Sequence, residues 1–130
     1  MLQRDYLVQL ISQFIQAIIR AGQTAVVNPK AAADSLEEAI ANATDIDGAM
    51  LLSLGGESMA QDMELSGVDP RVAGYIAHSL DLEADYLDQA GEGSLAALRR
   101  QQAQCITSVF GLNREDIAAE LDQDISDSLN

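Results

Sequence analysis

Only two prolines occur in the 130 residues, and each directly follows a residue suited to cap a helix, in Asn28-Pro29 and Asp69-Pro70. Proline fixes φ near the helical value and lacks the N–H that a first helical turn leaves unpaired, so both dipeptides mark helix starts. Glycines supply the stops: Gly67, Gly91 and Gly111 follow apolar-periodic runs, where a left-handed residue closes a helix.

This punctuation divides the chain into helices. The first is expected from about Leu2 to Ala21, with Gln9, Gln13, Gln16 and Arg20 on one narrow polar stripe. The rest of it is apolar. Leu7, Leu10, Ile11, Phe14, Ile15, Ile18 and Ile19 cover more arc than packing on one side needs. That arc has two readings. Either Leu7, Ile11, Phe14, Ile15 and Ile18 form a self-association surface, or the helix is central and surrounded by its own domain.

Further helices are expected over Lys30–Ala43, Ala49–Leu54, Glu57–Ser66 and Pro70 to about Ala90. Another should run over Leu95–Phe110, capped by Ser94, with Leu95, Leu98, Ala103, Ile106 and Val109 facing inward. Asn113 should open a last helix reaching about Leu129, striped by Ile117, Leu121, Ile125 and Leu129. Short connections make consecutive helices antiparallel neighbours. The expectation is one all-α domain over residues 1–130, with five to seven helices in stacked antiparallel hairpins. Length agrees, since about 130 residues is the usual size of a single domain.

Charge narrows the partners. Seven basic residues stand against twenty-one acidic ones, a net charge of −14, and residues 31–98 hold fourteen acids against Arg71 alone. Such a surface repels phosphate backbones and anionic lipid heads, and no basic patch beyond Arg99-Arg100 offsets it. Nucleic acid and membrane are therefore not expected partners. Glutamines interrupt the apolar N-terminal stretch, no secretory leader is visible, and a lone cysteine cannot form an internal disulfide. A cytoplasmic location follows as the expectation.

Reactive side chains are few: one histidine, one cysteine and no tryptophan. His78, Asp81 and Asp85 share one helical face and are the weak candidates for a polar or metal-binding site. Bundle metal sites usually draw ligands from several helices, and no Glu-x-x-His pair exists here. Cys105 falls beside the inward stripe of its helix, where a thiol is apolar filler. Asp45-Ile46-Asp47-Gly48 has the acids and glycine of a calcium loop. With Gly48 at the sixth position, however, Ala43 and Leu54 occupy the first and twelfth, so Asp45 and Asp47 read as helix caps. Neither Gly55-Gly56 nor Gly91-Glu92-Gly93 extends into a phosphate-binding pattern. No catalytic, metal or cofactor residue is assigned, and no cofactor is expected.

Between Leu80 and Ala103, the residues Leu80, Ala84, Leu87, Gly91, Ala96 and Ala103 fall at the small or apolar positions of the tetratricopeptide repeat, so this stretch resembles one tetratricopeptide-like hairpin and implies a tetratricopeptide-like helical array. Arg100 stands where the repeat has a large apolar residue, and Ser108 where it has its closing proline. Taken together, Met1–Tyr6, Asp47–Leu54, Ser66–Arg71 and Leu98-Arg99-Arg100 resemble a family of small bacterial all-helical proteins described only as a domain of unknown function. That resemblance implies a bacterial, cytoplasmic helical protein and carries no site residues. The functional expectation is a non-enzymatic protein-interaction or regulatory module with an acidic surface, an unidentified protein partner and a homodimer through the first helix. The alternative is a small-molecule-binding protein or enzyme with an inter-helical pocket using carboxylates.

Overall fold

A computed structural model describes residues 2–44 and 47–129, with side chains over 6–44 and 47–127. Among the described residues seven helices follow one another: α1 (Leu2–Ala25), α2 (Pro29–Asn42), α3 (Gly48–Ser53), α4 (Gly56–Leu65), α5 (Pro70–Gln89), α6 (Gly93–Val109) and α7 (Arg114–Leu129). Among the described residues there is no strand. Asp45 lies outside the described residues, and so does any capping role for it.

The punctuation works as its chemistry dictates. Side-chain oxygens of Asn28, Asp47, Asp69 and Asn113 accept from backbone N–H groups in the first turns of α2, α3, α5 and α7. At the ends of α4, α5 and α6, Gly67, Gly91 and Gly111 take φ of 75°, 82° and 64°. Each end carries the paired bonds of a Schellman motif, such as Val68 N–H to the Met63 carbonyl with Gly67 N–H to that of Glu64. The motif after α5 explains one departure from the sequence reading. Glu92 N–H is tied back to the Leu87 carbonyl, so α6 starts at once from Gly93, and Ser94 lies inside its first turn rather than capping it.

α5 is the centre. Val72 to Ala77 are buried without interruption, because α5 is covered by α2, α6, α1 and α7. Pairs across the hairpins fix direction: Arg99 and Arg100 of α6 meet Glu83 and Asp85 of α5. Arg71, early in α5, meets Glu120 and Asp124, late in α7. Both neighbours therefore run antiparallel to α5. α4 lies on α6, and the short α3 bridges α2 and α4. Leu80, Ala84, Leu87, Ala96 and Ala103 are all buried in or beside the α5–α6 hairpin, while Arg100 is exposed.

α1 corrects the expectation of a self-association surface. It runs to Ala25 and packs against α2, α5 and α7, so three neighbours use its wide apolar arc. Ile11, Phe14, Ile15 and Ile18 are buried in the chain's own core, and Leu7 is half-buried against it.

α4 and α6 approach so closely that a Cβ on Gly56 would lie 2.8 Å from both the Gln101 carbonyl oxygen and Cys105 Sγ, whereas one on Gly55 would meet nothing within 4 Å. Gly56→Ala should therefore cost about 1–3 kcal/mol in urea denaturation, through forced separation of the two helices. Gly55→Ala should leave the midpoint within about 0.5 kcal/mol of the parent.

Candidate functional site

The main concentration of buried polar groups lies where α6 faces α2, α3 and α5. Ala96, Arg99, Gln102, Ala103 and Ile106 form the inward stripe of α6, which turns two polar side chains into the core. Arg99, 5% exposed, donates from Nε to Glu83 Oε2 (2.7 Å), from Nη1 to the Leu52 carbonyl (2.7 Å) and Gln102 Oε1 (3.1 Å), and from Nη2 to Glu37 Oε1 (2.9 Å). Gln102 Nε2 donates to the carbonyls of Leu52 and Leu54 at 3.0 and 2.8 Å. Carbonyls at the end of a helix have no partner within it, so Arg99 and Gln102 together finish α3.

Electrostatics separates the two carboxyls. Burial opposes the charge on Glu37, but hydrogen bonds from Glu83 and Arg99 hold it below the usual carboxylate range. Glu83 is fully buried. Burial first, then its contact with Glu37, push it up to about 9 against the pull of Arg99. All of these groups face one another, and none of the cavities described below is lined by them.

A second cluster ties α7 to α5. Arg71 pairs with Glu120 at 2.7 Å and Asp124 at 3.1 Å, and the buried Tyr75 hydroxyl donates to the same Asp124 carboxylate. Burial and then Asp124 raise the Tyr75 pKa. The phenol is a hydrogen-bond donor here, not a base.

The three weak candidates do not converge. His78 is half-buried, and burial pushes its pKa down against the pull of Asp81 and Asp122. Asp81, raised by burial, faces Arg114 of α7 at 3.7 Å, whereas Asp85 turns to Arg100 of α6 at 3.0 Å. The hollow beside His78, Asp81 and Arg114 measures about 20 Å³, room for one water. Among the described residues no group of three His, Cys, Asp or Glu could hold a metal ion. His78 lines that hollow with α7, while Cys105 lies against Gly56 of α4, so the two do not form a nucleophile–base pair.

A groove of about 560 Å³ lies between α1 and α2, floored by Leu10, Phe14, Ala17 and Ala39 and rimmed by Gln13, Arg20, Thr24, Ser35, Glu38 and Asn42. Beside it runs the exposed face of α1: Tyr6, Val8, Gln9, Ser12, Gln13, Gln16, Arg20 and Gln23. From Tyr6 to Ala25 there is no acidic residue. No helix among the described residues is long and apolar enough to cross a membrane. Compared with protein-family models, curated proteins and solved structures, the chain matches none.

Sequence reasoning missed Arg99 and Gln102 because a polar residue was assigned outward. Small residues gave the signal: Ala96, Ala103 and Ile106 share one helical face, and Arg99 falls between them on it.

Replacing Arg99 with Met leaves two adjacent carboxyls without their donor and the Leu52 carbonyl with Gln102 alone. The expected loss is about 3–5 kcal/mol in denaturant unfolding. Arg99→Lys should recover little of it, since an ammonium cannot reproduce the planar fork. By contrast, Arg71→Ala should cost about 1 kcal/mol or less, because Arg71 and Glu120 stand largely in water.

Proposed function

We propose that this chain is a non-enzymatic protein-interaction module whose docking surface is the exposed face of α1 together with the α1–α2 groove. The observation that carries this reading is the absence of acids on that face in a chain of net charge −14. Interface centres are depleted in charge, and a partner approaching elsewhere meets acids. Lys30, Arg71, Arg100 and Arg114 are each already paired with carboxylates, so they add no basic patch.

The occupant this surface suits is an amphipathic helix of a second protein, with an apolar side for the Leu10–Phe14–Ala17 floor and basic flanks attracted by the surrounding acids. The amides of Gln13 and Asn42 and the hydroxyls of Thr24 and Ser35 offer hydrogen bonds along the rim. Catalysis has no comparable support: Glu37 and Glu83, which meet in the core, are both engaged by Arg99.

A second reading, a small-molecule site in the same groove, is favoured by its volume, which falls in the range of ligand pockets. Two measurements separate the readings. Titration with designed amphipathic helical peptides bearing lysine flanks should show saturable binding, weakened at least tenfold by Gln13→Trp, which fills the groove from an exposed position. The same peptides with glutamate flanks should bind more weakly still. Native mass spectrometry of the purified protein should show no bound small molecule. A retained adduct of defined mass, or peptide binding indifferent to Gln13→Trp, would overturn the docking surface proposed here.

A further inference from the structure

We infer that Glu37 and Glu83 hold one proton between them in the folded chain, and that this shared proton acts as a latch clamping α2, α3 and α5 onto α6. The inference is independent of what binds the α1 face.

Geometry supplies the argument. Glu83 is 0% exposed, and only one of its oxygens has a donor: Oε2 accepts from Arg99, while Oε1 finds no hydrogen-bond partner as long as both it and the adjacent Glu37 are unprotonated acceptors. The charged groups facing it are Glu37 from α2 and Arg99 from α6, and α3 contributes only the neutral Leu52 carbonyl. One guanidinium cannot neutralise two carboxylates, and an uncompensated buried charge is strongly destabilising. A proton on Glu83 removes both problems. Oε1–H then donates to Glu37, which keeps the negative charge because its side chain, 29% exposed, reaches water. The cluster becomes neutral overall, with every buried oxygen partnered.

The sign of the pH dependence follows. The unfolded chain releases this proton near the ordinary glutamate value of 4.5, whereas the folded chain keeps it until about 9. The folded state therefore binds the extra proton across that window, and stability falls as pH rises through it, levelling above about 9. At the alkaline end Glu37 and Glu83 repel across Arg99, and the clamp on the Leu52 carbonyl loosens.

Two single substitutions each remove the need for the proton. Glu83→Gln supplies a neutral amide that donates to Glu37 and accepts from Arg99. Glu37→Gln leaves Glu83 as the one counter-ion of Arg99. Infrared difference spectra at pH 7 should show the carbonyl stretch of one buried protonated carboxylic acid in the parent and in neither variant. Urea midpoints measured from pH 5 to 9 should fall with pH in the parent and fall less in both variants. The double variant leaves Arg99 without a counter-ion and should be less stable than either single one. If Glu83→Gln fails to fold, Glu37→Gln carries the comparison, and the parent spectrum needs no variant. A parent without a protonated carboxyl at pH 7, or with the same pH slope as a folded single variant, would overturn the latch.

Discussion

A guanidinium taken out of water must recover its hydrogen bonds from the protein, and Arg99 recovers them from three other segments at once. Glu37, Leu52 and Glu83 come from α2, α3 and α5, with Gln102 of its own helix completing the set. This requirement orders the fold more than any apolar contact does. Leucine in place of Arg99 would accept many arrangements of its neighbours, whereas the planar fork satisfies its acceptors in only a few. α3 depends on it most. A helix of six residues has no independent stability, and its carbonyl end would face the core unpaired without Arg99 and Gln102.

The same requirement explains why α5 lies at the centre. It must present Glu83 to α6 on one side and admit α2 and α7 on others, so its surface alternates large anchors with small gaps. Ala73, Gly74 and Ala77 are such gaps. A Cβ on Gly74 would already stand 3.3 Å from Ile117, so α7 comes close because that side chain is missing. Tyr75 then reaches past the gap to Asp124 and ties α7 down by a polar contact at the edge of an apolar one.

What could be read from the sequence was what local chemistry decides. Asn28-Pro29, Asp69-Pro70, Gly67, Gly91 and Gly111 act within a turn of the backbone, and each falls at the helix end that its chemistry requires. What failed depended on distant neighbours. α6 was expected to turn Leu95, Leu98, Ala103, Ile106 and Val109 inward; Ala103 and Ile106 are buried and Leu95 and Val109 pack half-buried against the core, but the polar Arg99, Gln102 and Thr107, which were not expected there, are buried too. Hydrophobicity sets the phase of a helix only when its partners are apolar, and here the partners are two carboxyls and a helix end. On α1, periodicity revealed a wide apolar arc but not its cause. Three neighbouring helices within the chain cover it, and no second copy is needed.

Acids and bases are also arranged unevenly on the surface. Each of Lys30, Arg71 and Arg100 sits between two carboxylates, which locally offsets the repulsion of a chain at −14 and pins helix to helix. With each such base already paired at the surface, the outward field is negative over most helices. Screening confines that field to about 8 Å at physiological ionic strength, so the character of a surface is set by its own residues and not by the net charge of the molecule. α1 is therefore electrostatically separate from the rest: from Tyr6 onward its outer face carries amides, hydroxyls, the exposed Val8 and a single arginine. The acids lie elsewhere, so this face lacks the carboxylates whose desolvation would oppose burial against another surface.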